Sequence, residues 1–534
     1  MKRLVCLLVL SLLAVPMVAQ KKATRLPWQD FAKDPKRVQA FRNAVATMKA
    51  RSSADPKSLD YRGSWIYWGS MHGYFGPNAK AGTVAAYRTR RGITDPSLDQ
   101  YFVNVNNMTP PDAVAQKVWD QCQHNTPYFF AWHRFYLYYF ERVLQAAAKD
   151  PTLRLPYWDY TDTANLALPA EFRSPTYVNA AGQTVDNPLF EPRRAAMWIP
   201  PQMGALPADD TDIDMALDLT NFFNTTNSNG EQELGYQSTI ERGVHGNVHC
   251  DMIDCPVTVM GAVAYSSNDP IFWLHHANID RMWDCWASIP GHKNPMSPDY
   301  TKQQFSYVNE KGQLVTKRVR NLYDGSTIDV VYAQAKNCQR PAPPKAPQPA
   351  NAAEVTPPMS QKAVAAARAA LAEPMMIGES GRTLINAAVT RAQVMLPATA
   401  STTHPRQFAL RAQTQLPVRT ELVLRNIHFA MHPRARFNVF LERADNPERR
   451  ALVGTISFFE DLSGEGEHAG HGGGGNDTRV LDATRALRAL GLEGTGTQNV
   501  NVVFEANEQL ATDFDPAQSQ LTVDQIELRV RRDL

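Results

Sequence analysis

Histidines in two groups have spacings that suit metal binding. In the first group, Thr126 and Pro127 are typical of the N-cap and the first position of a helix. Two residues nine positions apart, as His124 and His133 are, would lie on opposite sides of one continuous helix. We therefore expect His124 in the loop before the helix and His133 in its second turn, so that both rings converge on one ion.

The second group contains two pairs of histidines. His245 and His249 are four residues apart and share one face of a helix, which is a common way to chelate a metal. His275 and His276 are adjacent, and Asp280 follows His276 by four residues. We expect the Asp280 carboxylate to accept a hydrogen bond from the ring nitrogen of His276 that does not bind the metal.

The ligand types restrict the metal. A set of imidazoles without carboxylate or thiolate suits copper or zinc. The sequence contains no His-Glu-x-x-His motif, so a zinc hydrolase is poorly supported. Aromatic residues surround most of these histidines, and they predict a site that excludes bulk water.

The elements that must position these histidines lie in the first part of the chain, which differs in composition from the second. All ten Trp lie between Trp28 and Trp286, and neither Tyr nor Cys occurs after Cys338. Seven Pro within residues 341–358 predict a semi-rigid connector. We therefore expect two different kinds of domain.

In the second part of the chain, apolar residues recur at every second position. Ile526, Leu528 and Val530 alternate with charged residues, which is the pattern of a half-buried antiparallel strand. Residues 28–338, in contrast, carry helical signals. The sequence thus predicts a mainly α domain followed by a β-rich one.

The N-terminus resembles an export signal. A basic start precedes an apolar run from Leu4 to Val15, which is too short for a membrane helix and is typical of a signal peptide. We expect a secreted or periplasmic chain without a membrane partner once residues 1–19 are removed. A formal net charge of +2 also argues against a nucleic-acid partner. Removal of Cys6 with the signal leaves five cysteines, an odd number for an oxidising compartment.

The histidine motifs resemble the two copper motifs of tyrosinases and catechol oxidases, the polyphenol oxidase family. The resemblance rests on His124-x8-His133-Arg, Leu155-Pro-Tyr-Trp-Asp-Tyr160, His245-x3-His249 and Asp269-Pro-x-Phe-x-x-His-His276-x3-Asp280-Arg-x-Trp283. It implies a four-helix bundle that holds a binuclear, type 3 centre of two copper ions, each bound by three histidines.

The second part resembles the C-terminal domain of plant polyphenol oxidases. The similar segments are Phe437-Asn-Val-Phe-Leu, Gly454-Thr-Ile-Ser-Phe-Phe-Glu-Asp and Ile526-Glu-Leu-Arg. This likeness implies an all-β, sandwich-like lid over the copper site. The expected organisation is a signal peptide (1–19), a copper domain (20–340), a Pro/Ala-rich linker (341–385) and a lid (386–534).

The resemblance also assigns the copper ligands. It gives the first copper His72, His124 and His133, and it gives the second copper His245, His249 and His276. His275 stays open as the alternative third ligand of the second copper.

Cysteine roles follow from the same resemblance. Cys122 lies two residues before His124, where fungal tyrosinases and molluscan haemocyanins have a Cys that forms a thioether to the ligand's ring. Such a bond would leave four cysteines for two disulfides. Three pairings are open, and Cys250 with Cys255 is the attractive one because it closes a short loop.

Three further positions carry expected roles in the family. Glu241, four residues before His245, matches a carboxylate that orients water and helps to deprotonate the phenol. Gly246 stands where tyrosinases that hydroxylate monophenols often carry Asn, and Val263 stands at a gate position that is Phe in some plant enzymes. A small gate admits substrates, whereas the absence of Asn weakens monophenol activation.

The resemblance therefore implies a secreted type 3 copper oxidoreductase that uses O2 to oxidise o-diphenols to o-quinones, with ortho-hydroxylation of monophenols left open. Its partners would be small phenolic substrates and O2. The alternative is an O2-binding protein similar to haemocyanin, in which the same copper site is permanently shielded.

Overall fold

The structure is a computed structural model. It describes residues 22–74, 109–119, 121–194, 198, 204–226, 232–252, 259–325, 327–333, 375–394, 418–430, 432–433, 435–459, 477–492, 499–506 and 515–532. The expected signal peptide, most of the expected linker, Cys255 and Cys338 lie outside the described residues.

Helices dominate the described residues of the first part. Five of them carry or support the histidines: α1 (Pro35–Ala50), α2 (Trp65–Gly73), α3 (Phe129–Ala148), α4 (Gly246–Met252) and α5 (Pro270–Ser288). Shorter α-helical turns are Trp28–Phe31, Leu59–Arg62, Ala115–Val118, Asp214–Asp218, Tyr236–Ile240, Val263–Ser266 and Pro298–Lys302. Turns of 3-10 helix are Arg51–Ser53, Thr163–Asn165, Ala170–Phe172, Asp209–Thr211, Val259–Gly261 and Val319–Leu322.

Helix α3 begins two residues later than its predicted start. Tyr128 occupies the N-cap position without a capping side chain, and Thr126 Oγ1 instead accepts the Tyr128 N–H at 3.2 Å in the preceding turn. The helix ends where Lys149 adopts a left-handed conformation with φ of 55°. The apolar and aromatic side chains of α3 are buried over nearly its whole length, so the helix forms the centre of the first core.

Helix α5 starts at a fully buried cap. The Asp269 carboxylate accepts the Ile271 N–H at 3.0 Å, and Pro270 occupies the first helical position. Arg194 donates to both oxygens of the same carboxylate at 2.6 and 2.8 Å, and neither side chain is exposed. This pair fixes the start of the helix that carries His275 and His276.

The first part also contains four pairs of short strands. They are β1 (Ala23–Arg25) with β8 (Val330–Tyr332), β2 (Thr176–Val178) with β3 (Thr184–Asp186), β4 (Thr225–Thr226) with β5 (Gln232–Glu233), and β6 (Gln304–Val308) with β7 (Leu314–Arg318). The first pair is parallel and joins the two ends of this domain, while the others are hairpin ladders. None of the described helices combines the length and apolarity that crossing a bilayer requires.

Two antiparallel sheets form the second part. Their strands are β9 (Met375–Ser380), β10 (Thr383–Leu384), β11 (Val389–Val394), β12 (Val418–His428), β13 (Phe437–Arg443), β14 (Asn446–Ile456), β15 (Asp477–Asp482), β16 (Val500–Ala506) and β17 (Thr522–Arg532). One sheet has the order β10-β17-β12-β15 with β9 paired to β17, and the other has the order β11-β16-β13-β14. Helix α6 (Thr484–Ala489) and the turn Pro516–Ser519 complete this part, and both sheets contribute apolar side chains to one core.

The expectation of helices followed by strands is confirmed, but the domain boundary expected at residue 386 is wrong. Strands β9 and β10 precede that position and pair with β17. The second domain therefore begins by Met375, inside the segment that was expected to be a linker. Strands β9 and β10 are short, and their apolar and polar residues alternate little, so the sequence does not distinguish them from a linker.

Strand β17 is buried more fully than its alternation predicts. Ile526 and Leu528 face the core as expected, but Glu527 and Arg529 between them are also buried. Arg529 reaches Glu233 of the first domain at 3.3 Å. The polar face of the strand therefore forms an interface between the domains instead of a solvent surface.

We expect Asp269→Ala to lower the free energy of unfolding by about 3–5 kcal/mol, because it leaves the Arg194 guanidinium buried without its carboxylate and removes the cap of α5. Urea unfolding followed by tryptophan fluorescence measures this loss. Asp30→Ala is the control, since the exposed Asp30–Lys33 pair contributes less than about 1 kcal/mol. Equal losses from both variants would contradict the prediction.

Candidate metal centre

The described residues contain two groups that could hold a metal ion. Within each group the candidate ligand atoms all lie within 4.8 Å of one another. The first group is His72, Cys122, His124 and His133, and the second is His245, His249, His275 and His276. All six expected ligands therefore fall in these groups, three in each.

The first triad comes from three separate segments. His72 lies in the last turn of α2, His124 in the loop before α3, and His133 in the second turn of α3, as the spacing predicts. The ring centroids of the triad are 5.1 to 5.5 Å apart. The rings of His124 and His133 therefore lie close together.

A local irregularity precedes the second triad, immediately before α4. Residues Glu241–His245 form a π-helical turn in which Gly243 has a non-helical backbone, with φ of −93° and ψ of −111°. The His245 and His249 rings then lie 4.7 Å apart, centroid to centroid. His276 of α5 completes the triad, with its Nε2 at 3.4 Å from His249 Nε2.

The two triads adjoin each other. The rings of His133 and His276 are stacked at a centroid distance of 4.7 Å and an interplanar angle of 16°. His124 and His245 lie 6.1 Å apart in a similar parallel arrangement. Two ions held by these triads would therefore be neighbours within one cluster.

Backbone carbonyls orient four of the rings. The Nδ1 atoms donate to carbonyl oxygens at 2.7 to 3.1 Å: His72 to Val263, His133 to Phe129, His245 to Glu241, and His249 to Met260. Because a carbonyl only accepts, each of these rings is protonated at Nδ1 and keeps a lone pair at Nε2. The Nε2 atom of His124 is buried and has no hydrogen-bond partner in the part of the chain that the structure describes. This set of inward lone pairs fits a metal cation.

Burial keeps these rings neutral. Desolvation lowers the pKa of His124, His133, His249 and His276 well below the usual value, and neighbouring imidazoles lower it further. Burial also lowers the pKa of His245 to about 4, although the nearby Glu241 carboxylate opposes the shift. Neutral imidazole is the form that binds a metal.

Aromatic rings close the site to water. Phe129 lies 4.5 Å from the His133 ring and 4.8 Å from the His245 ring, and Phe272 lies 4.2 Å from the His276 ring. These contacts agree with the shell that the sequence predicts.

His275 also belongs to the second cluster. Its ring is stacked 5.4 Å from His245, and its Nδ1 is 2.7 Å from the Tyr160 hydroxyl. Its buried Nε2 has no hydrogen bond among the described residues. The geometry therefore leaves His275 beside His276 as an alternative ligand.

The expected role of Asp280 is wrong. Its carboxylate accepts from Arg134 and from the Tyr332 hydroxyl at 2.7 Å, and Arg25 lies 3.7 Å away. The Nδ1 atom of His276 has no hydrogen-bond partner within the described ranges. A buried carboxylate gains more from guanidinium partners than from a neutral imidazole, so Asp280 joins the charged cluster instead.

Cys122 lies beside both of its neighbouring ligands. Its Sγ is 3.6 Å from His124 Nδ1 and 3.8 Å from His133 Nε2. Cys250 and Cys285 are each disulfide-bonded. The expected pairing of Cys250 involves Cys255, which lies outside the described residues.

Glu241 is buried next to the first triad. Its Oε1 accepts the backbone N–H of Asn125 at 2.6 Å, and Gln237 Nε2 lies 3.4 Å from Oε2. The carboxylate therefore has a fixed orientation between the loop of His124 and the turn of His245.

Phe459 of the second domain contacts the second triad. Its ring is stacked on His249 at a centroid distance of 3.9 Å and an interplanar angle of 7°. It also packs with Cys250 and Val263 in one buried cluster. A Cβ at Gly246 would lie 3.2 Å from Ser457 Oγ, so the absence of a side chain there permits this close approach.

The sequence alone did not identify Phe459 as part of the site, and it did not identify the carbonyl groups of Val263 and Met260. Phe459 lies in a segment that the sequence indicated as part of the lid, but two adjacent Phe residues gave no sign of which one points inward. Carbonyl partners leave no signal in the sequence because every residue has a carbonyl group.

Residues 62–289 match the tyrosinase family over the part described as the common central domain of tyrosinase. Residues 373–530 match a family described as a domain of unknown function. The first match confirms the resemblance that the histidine motifs indicate.

Two curated relatives share the first domain. Tyrosinase HcTyr1 of Hahella sp. (strain CCB-MM4) is 28% identical over 316 residues, which cover 55% of this chain and 60% of the relative. The chloroplastic polyphenol oxidase of Malus domestica is 28% identical over 233 residues, which cover 39% of this chain and 38% of the relative. The chain thus spans about 60% or less of the length of these relatives.

Solved structures resemble both domains. Latent aurone synthase (polyphenol oxidase) from natural source has a TM-score of 0.53 at 18% identity and covers 96% of this chain and 90% of its own. Latent apple tyrosinase has a TM-score of 0.50 at 19% identity and covers 96% of this chain and 97% of its own. At this identity the likeness establishes the fold alone.

We expect Cys122 to form a thioether to His124 when the protein is loaded with copper in air, because its sulfur lies next to that ring. With residues 1–19 removed and the other four cysteines in disulfides, the non-reduced, denatured protein would then take up no alkylating agent. After reduction of the disulfides its intact mass would be lower by the two hydrogens that the thioether displaces. Cys122→Ser is the control and would keep its full calculated mass. One alkylatable thiol in the copper-loaded protein would contradict the prediction.

Proposed function

We propose that this chain, which carries a tyrosinase-family central domain, is a copper-dependent oxidase of phenols. The observation that supports this most directly is the pair of adjoining histidine triads, with His133 stacked on His276 at 4.7 Å. The reaction would convert two o-diphenols and one O2 into two o-quinones and two waters. The names of the relatives, tyrosinase and polyphenol oxidase, support the same reaction class.

Copper is the metal that this donor set fits best. The six ligands would be His72, His124 and His133 at one ion and His245, His249 and His276 at the other, and neither candidate group contains a carboxylate. Cys122 of the first group would be bound to His124 as a thioether and would not act as a thiolate ligand. When bound, the two ions would supply the redox chemistry that passes electrons from the phenol to O2. The four helices that carry most of these ligands would form the four-helix bundle of the family.

Glu241 would handle the proton of the phenol. Its buried carboxylate is held by the Asn125 N–H and stands near both triads, where it can orient a water molecule that accepts the proton. Gly246 offers no side chain to share that water. We therefore infer that diphenols are oxidised more readily than monophenols are hydroxylated.

Phe459 would block the substrate position in the intact chain. Its ring lies flat on His249, as the ring of a bound phenol would, and it is buried. The second domain, a sandwich-like lid, would therefore hold the enzyme in a low-activity form until it moves or is cleaved. Val263 packs against the same ring and would line the opened entrance.

The proposed organisation places this enzyme outside the cytoplasm. The apolar run from Leu4 to Val15 would act as the export signal of residues 1–19, and the copper domain would extend from residue 20 to residue 340. The disulfides of Cys250 and Cys285 agree with an oxidising compartment.

Phe459→Ala should raise oxygen uptake with 4-methylcatechol by about tenfold or more over the copper-loaded wild type, because it removes a ring that occupies the substrate position. An oxygen electrode measures this rate, and uptake with tyramine should stay well below it. Phe440→Ala is the matched control, since Phe440 lies on β13 and packs under Arg450, away from the histidines.

His249→Ala should abolish oxygen uptake both in the wild type and in the Phe459→Ala protein. If the Phe459→Ala protein binds two copper ions but oxidises neither phenol, while oxygen produces a reversible absorption band, the protein is an oxygen carrier and the proposal fails. If Phe459→Ala and Phe440→Ala raise the rate equally, the proposed block by Phe459 is wrong.

A further inference from the structure

Arg242 connects the second domain to the loop that carries His124. Its guanidinium donates through Nη1 to the carboxylate of Asp477, which belongs to β15, and through Nε to Asn125 Oδ1 at 3.0 Å. Its own carbonyl accepts from Arg479 Nη1 at 2.6 Å. One side chain therefore contacts the lid and the ligand loop at the same time.

The lid side of this connection consists of buried side chains. Asp477 and Arg479 lie on β15, and Arg479 Nε donates to Asp477 Oδ2 at 3.0 Å. Strand β15 is the terminal strand of its sheet and is paired with β12. Arg242 is therefore held by two buried groups of the second domain.

The loop side is a strained position next to a ligand. Asn125 has a φ of 54°, a left-handed conformation that Asn tolerates better than most residues. Its backbone N–H donates to Glu241 and its side chain accepts from Arg242, so two consecutive residues hold it. Among the six expected ligands, His124 alone lies outside a helical segment, and contacts of its loop must fix its position.

We propose that Arg242 is a positioning residue through which docking of the second domain fixes the His124 loop and strengthens copper binding at the first triad. The proposal rests on the proposed function in one respect, that the bound ion is copper. The second domain thus acts on both triads, through Phe459 at one and through Arg242 at the other. Removal of the lid would expose the second triad and would also weaken retention of copper at the first.

The competing explanation for weaker copper binding is a general loosening of the interface between the domains. The chain offers a matched control that tests this explanation. Arg419 of β12 pairs with Asp218 across the same interface, and both side chains are largely buried. Asp218 lies in the short helix Asp214–Asp218, away from the ligand loop. Arg419→Gln therefore breaks a comparable pair between the domains, together with the 3.3 Å contact of Arg419 with Asp482 of β15, without touching Asn125.

The first measurement is the Cu(I) affinity of the first triad by competition with bicinchoninate. The full-length chain carries His245→Ala and His249→Ala, so that only the first group keeps three histidines. We expect Asp477→Asn to weaken this affinity by about tenfold, a typical coupling between sites, and Arg419→Gln to leave it within about twofold. Asp477→Glu keeps the carboxylate and should restore the wild-type affinity.

Asn125 provides a second pair of variants that leaves the lid intact. Asn125→Gly keeps the left-handed backbone without strain but removes the acceptor for Arg242. Asn125→Asp keeps the acceptor. We expect the Gly variant to lose copper affinity as Asp477→Asn does, and the Asp variant to retain it.

Hydrogen exchange of the copper-free protein gives a readout that is independent of copper. The peptide that contains the Asn125 amide should exchange faster in Asp477→Asn than in Arg419→Gln, because only the first change removes the charge that pairs with Arg242. Equal exchange and equal Cu(I) affinity in these two variants would overturn the inference. A wild-type chain that binds no copper would instead reject the proposed function, while the exchange data would still decide whether Arg242 positions the loop.

Discussion

The structure depends on one constraint: imidazole rings packed together in a core that excludes water must stay neutral. Burial lowers the pKa of His133, His249 and His276 well below the usual value, so these rings stay uncharged. The Nδ1–H groups of His133 and His249 donate to backbone carbonyls, and the lone pairs of these two rings face inward. Charged groups near this core are consequently paired with each other, as Asp269 is with Arg194 and as Asp280 is with Arg134.

The same constraint explains the local irregularities. A π-helical turn precedes α4, and the left-handed Asn125 turns the chain immediately after His124. The φ of 54° at Asn125 costs conformational energy, and both irregularities lie next to expected ligands. Phe459 of the second domain completes this core, and the pairs Arg242–Asp477 and Arg419–Asp218 join the two domains. The interface and the site therefore form one structural unit.

Much of the site could be predicted because ligand spacing is a local property. The interval between His245 and His249 places two rings on one side of a helical segment, and Pro127 marks a helix start near His133. The role of Asp280 could not be predicted in the same way. Its position allowed a bond to His276, but Arg134 from α3 competes for the carboxylate, and that competition exists only when the two helices are packed together.

The sequence by itself determined the histidine clusters and the order of a helical and a strand-rich domain. These follow from residue types, short spacings and periodicity, which are encoded along the chain. Only the tertiary structure decided which Phe residue reaches His249, which carbonyls orient the rings, and how Arg242 joins Asp477 to Asn125. The contacts of Phe459 with His249 and of Arg242 with Asp477 join residues more than 200 positions apart, and their energies depend on burial and geometry that arise only when the domains pack.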